Sequence, residues 1–190
     1  MNWQKIAASW GLSDNIVKLA QTAERDLSSQ WQEYAELGRE NHLKVLRACQ
    51  EFGLGAHHFA GSTGYGYSDF GRDALEGIFA AFFGTQAALV RPQIVSGTHA
   101  ITAALFGLLR PGDQLLSATG QPYDTLRTVI GTEGAAVGTL REWGISYGQV
   151  PLSGGKPDLA AIVKAVTAKT KVVAIQRSRG YSWRSALTVD

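Results

Sequence analysis

The sequence has 190 residues, of which 45% are hydrophobic and 18% charged, an ordinary globular composition that excludes low-complexity and collagen-like chains. Its formal net charge of +2 is too near neutrality to indicate nucleic acid or a membrane surface as a partner. The single Cys49 cannot form an internal disulfide, no apolar run reaches the ~18 residues of a membrane span, and Met1-Asn2-Trp3 opens a polar stretch. We therefore expect a cytoplasmic protein.

The N-terminal part of the chain carries a helical pattern. Between residues 14 and 50, apolar residues recur at steps of three and four, as in amphipathic helices: Ile16, Leu19, Ala20, Ala23, Leu27, Leu43, Leu46 and Cys49. The pattern predicts an N-terminal helical arm over residues 1–60, whose apolar stripe is a packing surface or a subunit contact. A further helix is predicted over residues 72–83, ending before Gly84.

Glycine is over-represented, with 22 residues, and most of the glycines lie between Gly53 and Gly155. The segment from Gly53 to Tyr67 is too rich in glycine for regular structure. It contains His57 and His58, but neither a carboxylate nor a second cysteine supplies metal-ligand spacing, so no metal site is expected.

Strand and helix patterns alternate in the remaining part of the chain. An apolar, β-branched segment, Ala87–Val95, predicts a strand despite Arg91-Pro92. Strands are also predicted over residues 114–118, 145–152 and 171–175, and helices over 98–109, 123–130 and 159–168. Strands separated by helices imply right-handed crossovers and a parallel sheet. This region, residues 61–190, is taken as one part of an α/β domain.

The segment Val95-Ser96-Gly97-Thr98-His99-Ala100 lies between a predicted strand and a predicted helix. A small residue and a glycine allow a sharp turn, which exposes the first helical N–H groups beside the Ser96 and Thr98 hydroxyls. Such a turn suits phosphate. The alternative is a capped helix start, because Ser and Thr are preferred N-caps. The spacing fits neither a P-loop nor a dinucleotide-binding fingerprint.

Two other segments follow predicted strands. Tyr123 lies in Gln121-Pro122-Tyr123-Asp124-Thr125, and loops at the carboxyl ends of parallel strands meet in one crevice. Its ring could stack on a planar cofactor beside the phosphate turn, or it could be a buried tyrosine near a helix start. In the run Gln176–Arg184, arginines alternate with aromatic residues. This run could stack on RNA, be a solvated loop, or place an arginine such as Arg179 against an amino-acid carboxylate.

Taken together, the ordered motifs resemble a known family. They are Ser62–Tyr67, Arg72–Glu76, Ala87–Leu89, Ser96–Ala100, Gln121–Thr125 and Gln176–Arg184. From about residue 40 onward the chain is similar to pyridoxal-phosphate enzymes of cysteine and methionine metabolism, and most similar to the methionine gamma-lyase-like branch. Members of that branch are often labelled aluminium resistance proteins.

The resemblance implies a fold-type-I α/β architecture with an N-terminal helical arm and an incomplete, mainly parallel sheet with flanking helices. Residues 61–190 would be the N-terminal part of its pyridoxal-phosphate-binding large domain, which is truncated here. It implies that Ser96, Gly97 and Thr98 bind the phosphate of pyridoxal 5'-phosphate and that Tyr123 stacks on its pyridine ring. Tyr67 would reach the cofactor of a neighbouring subunit in a homodimer or homotetramer. The wider family has an arginine where this chain has Asp69, so that phosphate contact would need a substitute such as Arg72.

The implied activity is that of a carbon–sulfur lyase acting on a sulfur amino acid, with Arg179 as a candidate for binding the substrate. In the family, the lysine that forms a Schiff base with the cofactor lies beyond the region that this sequence resembles, and no lysine of this chain stands in a matching motif. The expectation is therefore an inactive N-terminal fragment with no catalytic residue of its own. The alternative is a non-catalytic paralogue that binds a partner through its helical arm.

Overall fold

The computed structural model describes residues 2–64, 69–134 and 136–188. It divides into two compact units, Met1–Arg91 and Pro92–Asp190. The division between arm and main domain at residue 60 concerns the complete family fold and stays a prediction.

The first unit is helical. It contains α1 (Trp3–Trp10), α2 (Asp14–Asp26), α3 (Ser28–Glu51), a short 3-10 helix (Ala56–Phe59) and α4 (Phe70–Phe83). Side-chain caps begin two of these helices: Asn2 accepts from the N–H of Lys5 at 3.1 Å before α1, and Asp69 accepts from the N–H of Arg72 at 3.3 Å before α4. The helices predicted within residues 14–50 and 72–83 are confirmed, and the 3-10 helix is a short regular turn inside the glycine-rich segment.

The strand predicted over Ala87–Val95 is wrong, because no residue of that segment is in a strand. The N–H of Val90 donates instead to the Glu76 carboxylate of α4 at 3.0 Å, and the Arg91 guanidinium pairs with the same carboxylate. Pro92 has no N–H to offer. The polar groups of this segment are therefore bound to a helix side chain rather than to a neighbouring strand.

The second unit is an α/β structure. In chain order it contains α5 (Gly97–Leu108), β1 (Gln114–Ser117), α6 (Asp124–Ile130), β2 (Ser146–Gln149), β3 (Leu152–Ser153), β4 (Lys156–Pro157), α7 (Leu159–Ala165) and β5 (Thr170–Ala174). The main sheet has the order β2-β1-β5. Both pairings are parallel, with Leu116 opposite Gly148 on one side and Val173 on the other. Strands β3 and β4 form a small antiparallel hairpin.

The core of this unit lies between the sheet and helices α5 and α6. It is formed by Leu105, Leu109, Leu115, Leu126, Ile130, Leu140 and Ile145. The central strand β1 is the best buried, with Leu115 and Leu116 each 1% exposed. Because β1 and β5 are parallel neighbours, the loops that follow them leave the sheet at the same edge.

Among the described residues, no helix is both long enough and apolar enough to cross a membrane.

Candidate functional site

The turn before α5 is a capped helix start. Ser96 is the N-cap, and its Oγ accepts from the N–H of His99 at 3.1 Å. The N–H groups of Gly97 and Thr98 have no acceptor within the helix, as in the first turn of any α-helix. A Cβ placed on Gly97 would meet nothing within 4 Å, so the space in front of these groups is open. The turn thus has two N–H groups without a partner in the helix, beside the Ser96 and Thr98 hydroxyls, and its role in binding phosphate stays a prediction.

The Thr98 side chain connects this turn to the start of α6. Its Oγ1 lies 3.3 Å from the Tyr123 hydroxyl and 3.0 Å from Thr125 Oγ1. Its carbonyl accepts from the Thr102 hydroxyl at 2.7 Å. The phenol predicted to accompany the phosphate turn is thus in hydrogen-bond contact with it.

Gln176 holds the backbone of Tyr123 in place, a role that was not predicted from the sequence. The side-chain Oε1 of Gln176 accepts from the N–H of Tyr123 at 3.0 Å. The backbone N–H of Gln176 donates to Thr119 Oγ1 at 2.9 Å. These bonds join the loop after β5 to the loop after β1. The available signal was its position as the first polar residue after the apolar run Val172–Ile175, which contains the end of β5.

A cavity of about 590 Å³ contains the predicted phosphate turn and the predicted aromatic residue together. Its lining comprises Ser96, Gly97, Thr98, Ile101, Tyr123, Asp124, Ser178, Gly180 and Tyr181. The structure thus brings four of the predicted cofactor residues to one place, and their role as ligands stays a prediction. The fifth, Tyr67, lies outside the described residues.

Arg179 lines a second, larger cavity of about 760 Å³ that shares Tyr123, Asp124 and Tyr181 with the first. Of the other arginines of this run, Arg184 donates to the carbonyls of Gln176 and Ser185, both at 2.9 Å. Arg177 donates to the Leu187 carbonyl at 3.2 Å. These two arginines are bound by carbonyls of their own loop. Arg177 and Arg179 are both exposed, and Arg184 lines the larger cavity together with Arg179. The role of Arg179 in binding a substrate stays a prediction.

A third cavity, of about 390 Å³, lies between the sheet and helices α5 and α6 and is lined mainly by apolar side chains. Tyr147 is one of its polar residues, and its hydroxyl donates to Gln149 Oε1 at 2.9 Å. Burial raises the pKa of Tyr147 above its ordinary value, with a hydrogen bond to Ser117 acting in the opposite direction. The phenol is therefore neutral at physiological pH and acts as a hydrogen-bond donor, not as a base.

In the first unit, Asp69 is buried and its charge is balanced. Its Oδ2 accepts from Ser62 Oγ at 3.0 Å and lies 3.4 Å from Arg72 Nε. Arg72 Nη2 also donates to the Gly64 carbonyl at 3.0 Å. Asp69 is thus an internal helix cap, and the guanidinium of Arg72 is engaged by Asp69 and Gly64. These contacts give no support to Arg72 as the substitute for the family's phosphate-binding arginine.

The two adjacent histidines contact each other. The rings of His57 and His58 have centroids 3.9 Å apart, and His58 Nδ1 accepts from the N–H of Gly55 at 3.0 Å. Over residues 2–64, 69–134 and 136–188 there is no group of three or more His, Cys, Asp or Glu side chains that could hold a metal ion.

Comparison with known proteins identifies the relatives of this chain. The family profile described as methionine gamma-lyase matches residues 16–190. The chain is 47% identical to the protein YnbB of Bacillus subtilis (strain 168) over 177 residues. This aligned region covers 92% of this chain and 42% of YnbB.

Two solved structures have the same fold at high similarity. One is a candidate cystathionine beta-lyase involved in aluminum resistance from Clostridium acetobutylicum (TM-score 0.91, 41% identity, 98% of this chain and 45% of that chain). The other is a carbon-sulfur lyase involved in aluminum resistance from Clostridium novyi NT. It matches with a TM-score of 0.89 and 44% identity, and the match covers 97% of this chain and 44% of that chain.

These comparisons confirm the predicted fold class, in which a helical arm accompanies a small parallel sheet with flanking helices. The chain spans less than half the length of the relatives that it matches. The match over residues 16–190 shows that the chain belongs to the methionine gamma-lyase family.

Proposed function

We propose that this chain forms the cofactor-phosphate and ring-stacking part of a pyridoxal-phosphate-dependent carbon–sulfur lyase that acts on a sulfur amino acid. The observation that carries the proposal is the contact of 3.3 Å between Thr98 Oγ1 and the Tyr123 hydroxyl, which puts an anion-binding turn and an aromatic ring on one cavity. Methionine gamma-lyase membership and the name of the Clostridium novyi relative support the reaction class.

The residues present fit pyridoxal 5'-phosphate. The phosphate would be held by the N–H groups of Gly97 and Thr98 and by the hydroxyls of Ser96 and Thr98, and the Tyr123 ring would lie against the pyridine. Ser96 Oγ accepts from His99 but keeps its own hydrogen for donation to a phosphate oxygen. When bound, the cofactor supplies an electron sink for bond cleavage at the substrate. The chain's own contribution is to bind and orient that group.

The substrate's carboxylate would pair with Arg179, an exposed arginine of the loop after β5 that lines the larger cavity. Arg177 and Arg184 are held by backbone carbonyls, so they are less suited to this role. Tyr67 would contact the cofactor of a neighbouring copy, which makes a homodimer or homotetramer in the cytoplasm the expected state of the complete enzyme.

In the family's proteins, the lysine that binds the cofactor is expected in a region that has no counterpart in these 190 residues. In support, no lysine is among the described residues that line the 590 Å³ cavity. We therefore propose that the 190-residue chain alone does not catalyse the reaction and that its residues act within a longer protein or with a second polypeptide.

A binding experiment tests the cofactor part of the proposal. The chain is titrated with pyridoxal 5'-phosphate and, separately, with pyridoxal, while the amide resonances of Gly97 and Thr98 are followed by NMR. We expect the phosphorylated compound to bind at least tenfold more tightly and to shift these two amides. Thr98→Val should abolish the difference, whereas Thr128→Val, on the exposed side of α6, should preserve it. Equal affinities for the two compounds would contradict the proposal.

A chimera tests the activity. In the chimera, this sequence replaces the matching part of the Clostridium novyi protein. Release of thiol and 2-oxo acid from thioether amino acids is then measured for the chimera, for the parent Clostridium novyi protein and for the 190-residue chain. We expect turnover by the chimera and the parent only. A chimera that binds the cofactor but releases no thiol would reject the lyase function and favour the non-catalytic alternative.

A further inference from the structure

The larger cavity, of about 760 Å³, is positively charged. Among the described residues that line it, three are arginines (Arg127, Arg179 and Arg184) and one, Asp124, is acidic, which gives the lining a net charge of +2. Asp124 Oδ1 accepts from the N–H of Thr125 at 2.7 Å, so this carboxylate is engaged at the start of α6. The cavity is therefore suited to a negatively charged ligand.

This cavity has more room than the amino-acid part of a substrate requires. Its volume lies within the range of about 300–1,000 Å³ of pockets that hold drug-sized ligands. It shares Tyr123, Asp124 and Tyr181 with the 590 Å³ cavity that contains the phosphate turn. Arg179, proposed above to bind the substrate's carboxylate, belongs to its lining. The thioether arm of the same substrate would therefore extend into the remaining space.

Arg127 lies one helical turn after Tyr123. Its N–H donates to the Tyr123 carbonyl at 3.1 Å, and residues four positions apart lie on the same side of a helix. Both side chains line the larger cavity. A ligand arm that begins beside the Tyr123 ring thus has the Arg127 guanidinium on the wall of the same cavity.

The hydrogen bonding of the Arg127 guanidinium is incomplete. Nη1 lies 2.9 Å from Glu133 Oε2, but the Glu133 side chain is 55% exposed, and exposed ion pairs are weak. Nε is buried and has no hydrogen-bond partner in the part of the chain that the structure describes. Buried N–H groups are normally hydrogen-bonded, so a guanidinium position that gives Nε–H an acceptor is favoured. A carboxylate accepts from Nε–H and one terminal nitrogen together, which leaves the other terminal nitrogen to Glu133.

The other two arginines are less suited to a second anionic group. Arg184 donates to the carbonyls of Gln176 and Ser185, both at 2.9 Å. Arg179 is the proposed partner of the substrate's own carboxylate. Arg127 is therefore the arginine of this lining that remains for the far end of the thioether arm.

From these contacts we infer that the larger cavity holds the part of the substrate that leaves as a thiol, and that this thiol carries a carboxylate but no amino group, bound by Arg127. The inference rests on the proposed function, since it assigns a substrate class to the lyase. An ammonium group at the far end would lie among arginines, and Asp124, the one carboxylate of the described lining, is engaged at its helix start. Like charges disfavour such a ligand.

NMR titration of the full 190-residue chain, without cofactor, tests the charge preference. Three cysteine thioethers are compared: S-carboxypropylcysteine, its carboxamide S-carbamoylpropylcysteine, and cystathionine, which adds an amino group to the carboxypropyl arm. We expect S-carboxypropylcysteine to bind at least tenfold more tightly than the carboxamide and at least threefold more tightly than cystathionine. It should also shift the side-chain Nε–H resonance of Arg127, which the carboxamide should leave in place.

Variants of one arginine and a control identify the residue. Arg127→Gln should abolish the difference between carboxylate and carboxamide, and Arg127→Lys, which keeps the charge but not the paired donors, should retain part of it. Arg141→Gln removes an exposed arginine outside the described lining and should leave the difference unchanged. In the chimera with the Clostridium novyi protein, Arg127→Gln should raise KM for S-carboxypropylcysteine at least tenfold and leave KM for the carboxamide unaltered.

Equal affinities for carboxylate and carboxamide, tightest binding by cystathionine, or an unshifted Arg127 Nε–H would overturn the inference. Butyrate, which is the acidic arm without the amino acid, should bind at least tenfold more weakly than S-carboxypropylcysteine. Equally tight binding of butyrate would make the cavity a general anion site and would also overturn it. Cofactor binding is measured separately at the Gly97 and Thr98 amides, so a failure of the proposed function is distinguished from a failure of this inference.

Discussion

Thr98 and Tyr123 are 25 positions apart in the chain, yet their side-chain oxygens lie 3.3 Å apart. The contact joins the start of α5 to the start of α6 on one side of a cavity. It fixes the aromatic ring by its hydroxyl, and the ring both packs against the core and lines that cavity.

Tyr123→Phe should separate the contribution of the hydroxyl from that of the ring. Loss of one hydrogen bond of about 1 kcal/mol should weaken binding of pyridoxal 5'-phosphate by about fivefold. Tyr123→Ala removes the ring as well and should weaken it by a further factor of at least ten, as measured by calorimetry. Tyr147→Phe changes a phenol of another cavity and should leave the affinity unaltered. If Tyr123→Ala binds as well as the unsubstituted chain, the ring does not contact the cofactor.

Gln176→Leu should destabilise the second unit. The substitution leaves the N–H of Tyr123 without its acceptor, at a cost of about 1–3 kcal/mol, which should lower the urea midpoint of unfolding. Gln121→Leu, in an exposed position of the loop after β1, is the control and should change the midpoint little. Equal midpoints for the two variants would mean that the bond between Gln176 and Tyr123 contributes nothing.

Two helical glycines should respond in opposite ways to substitution by alanine. A Cβ at Gly71 would lie 2.3 Å from the His58 carbonyl oxygen, a backbone atom, whereas a Cβ at Gly107 would meet nothing within 4 Å. Gly71→Ala should therefore destabilise the chain by roughly 1–3 kcal/mol. Gly107→Ala should stabilise it by about 0.5–1 kcal/mol. Thermal unfolding of both variants gives the comparison, and a shift of the same sign in both would refute it.

The contact between α1 and α2 should depend on pH. Trp3 Nε1 donates to Glu24 Oε2 at 2.5 Å, and this hydrogen bond lowers the pKa of Glu24 below its ordinary value of 4.5. A carboxyl whose pKa is lower in the folded state stabilises the fold above its ordinary pKa, and this contribution is lost as the pH falls through the lowered value.

NMR titration of the Glu24 carboxyl carbon measures this effect. Trp3→Phe should raise the pKa of Glu24 towards 4.5. Trp10→Phe, at a tryptophan that is 79% exposed, should leave it unchanged. An unaltered pKa in Trp3→Phe would show that the indole is not the cause.

Much of the architecture could be predicted because hydrophobic period and glycine position are local signals. The three-and-four spacing from Ile16 to Leu27 predicts α2, and Gly84 and Gly131, with φ of 64° and 86°, end α4 and α6 where left-handed residues were expected. The strand predicted over the apolar segment Ala87–Val95 is wrong because a strand needs a neighbouring strand, and no pattern within the segment shows whether one is present. The backbone N–H of Val90 in this segment donates instead to the Glu76 carboxylate, 14 positions earlier in the chain.

The candidate site likewise has features that could be predicted from the sequence and features that could not. The Ser96-Gly97-Thr98 turn is recognisable because its chemistry is contiguous. Tyr123 does lie beside this turn, but the strand over Ala87–Val95, on which the sequence argument for that position relied, is absent. The roles of Gln176 and Asp69 could not be predicted, because each depends on partners that only the folded chain brings near. Asp69 in particular stands where the wider family has an arginine, and the structure gives it Ser62 and Arg72 as partners.

Gln176 follows β5 by two residues and holds the backbone of Tyr123, so the cavity is complete only while β5 is docked on β1. A ligand that binds at the turn would therefore be thermodynamically linked to strand docking. If pyridoxal 5'-phosphate binds there as proposed, it should raise the midpoint temperature of unfolding and slow amide hydrogen exchange along Thr170–Ala174. Conversely, detachment of this strand should weaken binding without any change in the residues proposed to hold the phosphate.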